Sequence, residues 1–260
     1  MRSPLDGFQI SRPFGRGGVA FTPASLALDG WWDASQGYTG ISSNVTALPD
    51  LTGNGNALTY YSDTTAATIA QLNGIDVVQL PATDDDQSFY NVALGASVSQ
   101  NNTAPFTIAG TVRYTDISVD RTPWGTDNTA SAFDGLQYDH RGTGSANVTR
   151  FTARPPSGGA TTINLGHMSA ANTTFTYVHV FDGAGKVKVW VNGAYEGEVA
   201  FAPTGTFGTA NSLSFGGMRL SGNAASGDVI GVLGEMCFKA AALSDADAAA
   251  LAGYLNGRYT

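Results

Sequence analysis

The chain has 260 residues, a net charge of −8 and charged side chains at only 13%. That balance excludes general nucleic-acid binding, which needs a basic surface to displace counterions from phosphate. An apolar content of 42% supplies a core, and 33 glycines with abundant Thr, Ser and Asn point to many tight turns between strands.

Cys237 is the only cysteine, so an internal disulfide is excluded, and its apolar surroundings mark it as a buried structural thiol. No stretch approaches the roughly 20 apolar residues of a membrane helix, and the N-terminus lacks the apolar centre of a signal peptide. The sequons at Asn44, Asn101, Asn147 and Asn172 therefore read as chance matches.

Residues 1–20 differ from the rest. They carry Arg2, Arg12 and Arg16 against Asp6, a balance of +2 where the remainder carries −10. Prolines and glycines break every hydrophobic period, which predicts an extended arm. A solvated tail is one reading. Phe8, Ile10 and Phe14 favour another, an arm that docks on a partner protein through these apolar residues and the three arginines. Trp31 and Trp32 follow at the start of a predicted domain spanning 21–260. In an extended segment only one of the two faces the core, which leaves the other for a neighbouring subunit or the arm. By this argument Trp31 joins the candidate partner-binding residues.

Strand signals then dominate. "FTIAGTVRYTD" (106–116) alternates apolar and polar, with Phe106, Ile108, Gly110, Val112 and Tyr114 on one face. Tyr177–Phe181, a turn at Asp182–Gly185 and Val187–Val191 form a hairpin, and Asn192-Gly193 is the strongest short-range signal for a type I′ turn. "SLSFGGMRL" (212–220) and "VIGVLGEMCFK" (229–239) continue the series. Each alternating strand must bury one face, so two packed antiparallel sheets are predicted. The chain closes with a helix. Ser244 is its N-cap and Asp247 completes an approximate capping box; Ala248, Leu251, Ala252 and Leu255 form its apolar stripe, and Gly257 is its predicted end. Such a helix covers a sheet edge or the outer rim.

Gly234-Glu235, Leu243-Ser244-Asp245, Tyr254-Leu255 and Tyr259 stand in an order that resembles the ending of laminin-G/concanavalin A-like jelly-roll domains of bacterial and phage proteins. Trp32-Asp33-Ala34-Ser35 and Asp50-Leu51-Thr52-Gly53-Asn54-Gly55-Asn56 look like the opening of such domains, and "VKVWVNGAYEG" like one of their hairpins. The resemblance covers roughly residues 21–260. It implies an all-β, two-sheet antiparallel β-sandwich with an N-terminal arm and a short C-terminal helix. "SPLDG", "FGRGG" and "FTPASL" are similar to a recurrent opening in proteins of tailed phages and prophages. This second resemblance implies a virion component assembled in the host cytoplasm.

Glycosidases also use this fold, with a Glu-x-Asp-x-x-Glu run on one strand in its glucanases. No such run occurs here, and the only glutamates are Glu196 and Glu198, beside a hairpin, and Glu235 in the closing strand. His140, His167 and His179 lack metal-ligand spacing, and no nucleophile elbow is present. Asp84-Asp85-Asp86 could suggest calcium but reads as an acidic loop before Phe89-Tyr90. No catalytic residue, metal or cofactor is expected.

Carbohydrate recognition needs an aromatic platform beside planar polar groups. Trp124, Asp134, Tyr138, His140 and Arg141 are the candidates; alternatively, Trp124 and Tyr138 are core aromatics of adjacent strands. The leading expectation is a non-enzymatic decoration protein of a capsid or tail, in contact with other virion proteins and as a homo-oligomer in the particle. A glycan-binding module for host adsorption is the alternative, and a glycosidase of the host envelope the third.

Overall fold

The computed structural model of the protein describes residues 21–41, 44–62, 65–82, 87–127, 135–142, 148–156, 159–166, 170–219 and 225–260. Among them, seventeen strands form one continuous antiparallel network that folds back on itself as two layers. The first layer runs Ala194–Ala200, Lys186–Val191, Thr174–Asp182, Pro105–Tyr114, Gly231–Lys239, with Gly30–Trp32 and Ile75–Gln79 both pairing on the far side of Gly231–Lys239. The second runs Thr161–Asn164, Thr149–Arg154, Gly135–His140, Arg121–Asp127, Ser212–Phe215, Ser88–Asn91, Leu58–Tyr61, Asn44–Leu48, with Thr39–Ile41 pairing on Asn44–Leu48. Ala67–Leu72 joins the layers by pairing with both Ile75–Gln79 and Asn44–Leu48. The predicted two-sheet antiparallel sandwich is the observed fold.

The main core lies between the layers. Phe106, Ile108, Val112 and Tyr114 face Trp124, Leu136, Tyr138 and Phe151 across it, all fully buried. Ring contacts close the gap, with Tyr138–Tyr177 centroids 5.5 Å apart and Phe151–Phe181 5.3 Å. The strand Pro105–Tyr114 is buried on both faces, because Ala109 belongs to a second apolar cluster outside the first layer.

That second cluster explains the closing helix, Asp245–Tyr259. Ala248, Leu251, Ala252, Leu255 and Tyr259 lie against Val178, Val180, Trp190, Val232 and Cys237. Full burial of one such leucine contributes roughly 1.5–3 kcal/mol. The helix thus covers the outer face of a layer rather than its edge. Ser244 caps it as predicted, accepting the Asp247 amide at 3.1 Å. Gly257 does not end it. The helix continues through Tyr259, which is 1% exposed, and Arg258, which is ion-paired. These tertiary contacts outweigh glycine's poor helix propensity, a cost of about 1 kcal/mol. The Asn192-Gly193 turn forms as predicted, with left-handed φ values of 47° and 81°. "SLSFGGMRL" divides, since Ser212–Phe215 belongs to the large network and Met218–Arg219 pairs separately with Ala225–Ser226.

Candidate functional site

The site begins with the Trp pair. Alternation in Gly30–Trp32 sends Trp32 into the main core, fully buried against Phe215 at 5.6 Å, and Trp31 to the outer side, where it is half-buried. Trp31 lies opposite Cys237 and packs on the cluster beneath the helix.

The segment 50–56 is stitched to this strand by one carboxylate. Asp50 accepts the amides of Trp31 (3.2 Å), Thr52 (3.0 Å) and Asn56 (3.1 Å), and the Thr52 hydroxyl at 2.8 Å. Asn54 donates to the Leu28 carbonyl at 3.1 Å, Asn56 to the Asp29 carbonyl at 2.7 Å, and the Trp32 indole to the Asn56 carbonyl at 2.8 Å. The polar residues of Asp50–Asn56 therefore serve chiefly as a clasp.

Between this clasp and the turn Pro23–Leu26 lies a cleft of about 380 Å³. Trp31, Leu28 and Leu51 supply apolar wall, and Asp29, Thr52 and Asn54 the polar groups. Asp29 spends one oxygen on the Ala240 amide at 2.7 Å. Its other oxygen, and the Asn54 side-chain oxygen, have no hydrogen-bond partner among the described residues. An indole beside acceptors of fixed position suits a ligand with an apolar face and a hydroxyl rim.

Behind Trp31 is a buried ionic cluster. The indole N–H donates to Glu235 Oε1 at 2.5 Å, and Arg258 donates to Glu235 Oε2 at 2.8 Å. Arg258 also pairs with Asp33 at 2.7 Å and donates to Ser35 Oγ and to the Tyr254 oxygen, both at 2.6 Å. Glu235 is completely buried and Asp33 is 1% exposed. Burial pushes the Glu235 carboxyl up to about 7; the Arg258 charge opposes the rise and Asp33 adds to it. A buried carboxyl of this kind is a general-acid candidate on electrostatics alone. Geometry argues against that role. Both oxygens are engaged and no part of the side chain meets solvent, so a substrate atom would have to displace Trp31 or Arg258.

Three of the candidate carbohydrate ligands are core residues. Trp124, Tyr138 and His140 have zero exposure; Trp124 donates to His179 Nδ1 at 3.3 Å, and the Tyr138 ring lies 4.4 Å from that of His179. Burial also pushes the His140 pKa below its ordinary value. They cannot form a sugar platform, because the aromatic parity of these strands faces inward. The opposite parity is polar. Asp139 faces away from the core and accepts from Arg150 at 2.8 Å and Gln137 at 2.9 Å. Arg141 is half-buried in an ion pair with Asp120. Asp134, His167, Asp84–Asp86 and the arm residues Arg2, Phe8, Ile10, Arg12, Phe14 and Arg16 lie outside the described residues. Glu198 pairs with Lys186 at 2.7 Å on an exposed hairpin.

Sequence reasoning missed the Glu235–Arg258–Asp33 cluster. Its signal was a lone glutamate inside the apolar run of the closing strand, since a buried carboxylate requires a cation. Among the described residues no group of His, Cys, Asp and Glu is placed to hold a metal, and no helix is long and apolar enough to cross a membrane.

Comparison with solved structures supports the fold. Domain 4 of AbnA, a GH43 extracellular arabinanase from Geobacillus stearothermophilus, solved in complex with arabinotriose, superposes with a TM-score of 0.64 at 16% identity, covering 86% of this chain and 98% of that one. The botulinum neurotoxin serotype G binding domain gives a TM-score of 0.59 at 12% identity over 86% of this chain. The binding domain of Paraclostridial mosquitocidal protein 1 gives 0.58 at 11% identity, again over 86%. This chain spans about half of each toxin structure, 50% and 51%. The fold is a concanavalin A-like β-sandwich. No protein-family model and no curated protein sequence matches the chain.

Proposed function

We propose that the protein is a glycan-binding module whose ligand occupies the Trp31 cleft. The observation that carries this reading is the cleft itself: about 380 Å³, lined by Trp31 and by Asp29 and Asn54, each with a side-chain oxygen that has no partner among the described residues. That volume lies within the roughly 300–1,000 Å³ of small-ligand sites. The arabinotriose complex of a similarly folded domain adds support. On this reading the module binds without cleaving: Asp29 is the one carboxylate in the cleft lining, and the buried carboxyl behind Trp31, Glu235, is sealed by Trp31 and Arg258. Titration calorimetry with arabinotriose and a panel of neutral and acidic oligosaccharides tests the reading. Binding by at least one, lost in Trp31→Ala while the fold is retained, is the expected result; no binding by any, or binding indifferent to Trp31→Ala, would refute it.

Placement on a virion is a second reading, supported by the phage-like opening of the sequence and by the opposite charges of residues 1–20 and 21–260. On it, the arm docks on an acidic neighbour in a capsid or tail and the sandwich carries the glycan site outward for host adsorption. Particles assembled with residues 1–20 deleted should lack the protein.

A further inference from the structure

The ionic cluster and the cleft share one residue. Trp31 presents its ring to the cleft and its N–H to Glu235, whose second oxygen is held by Arg258 from the last turn of the helix. The ring also packs on the cluster beneath the helix, but its one hydrogen bond among the described residues is to Glu235, so its orientation responds to what Glu235 accepts. As a carboxylate, Glu235 takes two N–H donors. As a carboxylic acid it carries a proton on one oxygen and loses acceptor strength toward either the indole or the guanidinium.

We infer that Glu235 is a positioning residue of the cleft: its ionised carboxylate fixes the Trp31 indole as a binding wall, so the cleft holds a saccharide more tightly when Glu235 is charged. The inference rests on the glycan reading of the cleft.

The groups around Glu235 set the direction. Asp33 reaches the cluster from the segment after Gly30–Trp32, Arg258, Tyr254 and Tyr259 from the helix, and Cys237 from Glu235's own strand. Burial pushes the Cys237 thiol and the Tyr254 and Tyr259 phenols up, so all three stay neutral near neutral pH. Two carboxylates then face one guanidinium. With both ionised the cluster carries an excess negative charge, and protonation of Glu235 removes it, leaving Arg258 to Asp33. That change falls at about 7. Charging Glu235 strengthens the hold on Trp31 while weakening the buried fold around it. Affinity and stability therefore move in opposite directions with pH, which a merely structural glutamate would not produce.

The experiment needs no ligand at first. Tryptophan emission of the full chain is followed from about pH 5 to about pH 9 in wild type, Glu235→Gln and Trp31→Phe. Wild type should titrate with a midpoint near 7, and both variants should be flat. Trp31→Phe keeps an aromatic ring but loses the indole N–H and the reporter itself, so its flat emission assigns the signal to Trp31, and its pH-independent affinity is the test that survives if Glu235→Gln fails to fold. Arabinotriose affinity should then fall about five-fold between about pH 8 and about pH 6 in wild type, the ratio expected when a charged acceptor becomes neutral, and stay constant in the variants. Flat wild-type emission, or affinity that tracks stability, would overturn the inference. Titrating emission with no saccharide bound at any pH would refute the glycan reading and leave the positioning of Trp31 standing.

Discussion

Arg258, in the last turn of the closing helix, meets Glu235 of the strand Gly231–Lys239 at 2.8 Å, tying helix to sheet through a completely buried carboxylate. The pair gives stability a definite pH dependence. Burial raises the folded pKa of Glu235 from 4.5 to about 7. The folded state therefore holds its proton where the unfolded state has lost it. The resulting stability is fully present below the unfolded value and is lost as pH rises through about 7. Asp139 is also pushed up by burial and acts with the same sign, whereas His140 is pushed down and opposes it. The wild-type-minus-Glu235→Gln difference isolates the glutamate. Melting curves should show that difference changing by several degrees between about pH 5 and about pH 8, with wild type relatively more stable at the acid end. A difference independent of pH would remove the linkage.

Leu251 is fully buried under the helix, against the outer face of the first layer. Leu251→Ala should cost about 2–5 kcal/mol, the range for deleting a core leucine. Urea denaturation measures it as a lower midpoint with an unchanged slope. An unaltered midpoint would mean that the helix contributes nothing to the folded domain.

Asp139 gathers Arg150, Gln137 and Thr122 on the outward face of the second layer. It is 2% exposed, so Asp139→Ala strands the buried Gln137 amide and leaves Arg150, whose side chain is 20% exposed, to water. The expected cost is about 1–3 kcal/mol, read by chemical denaturation. Asp139→Asn, which keeps the acceptor oxygen, should cost less.

Tyr138 and Asp139 also show what sequence could reveal. Alternation in 135–140 was legible, and so were the hairpins, the helix cap and the two-layer fold, because each rests on a local period or turn. Which parity faced inward was not, since aromatic residues serve equally as core and as sugar platform. The register Tyr138↔Trp124 and Tyr138↔Phe151 settled it by stacking three rings in one layer. The Trp31 cleft was equally hidden. It joins residues 23–31 to 50–56, and the support behind it comes from Glu235 and Arg258, some two hundred residues away. Nothing in local sequence states such contacts. The two tryptophans were read correctly as facing opposite ways, but the outer one is held within the chain by Glu235.

Asp50 offers a test of the cleft that leaves its wall and rim chemically intact. Its carboxylate holds the amides of Trp31, Thr52 and Asn56, and so fixes the clasp that positions Asn54 over the cleft. The side chain is only partly buried, which limits the stability lost on its removal to about 1–3 kcal/mol. Asp50→Ala frees the segment 50–56 to move away from Leu28 and Trp31, and the ordering entropy that the clasp had already met returns as a cost of binding. Saccharide affinity should therefore fall at least ten-fold while the melting transition stays cooperative, and Asp50→Asn, with one acceptor oxygen retained, should fall between the two. Calorimetric binding beside a thermal melt reads both quantities on one sample. If Asp50→Ala binds as tightly as wild type, the cleft between the clasp and Pro23–Leu26 is not where the ligand sits.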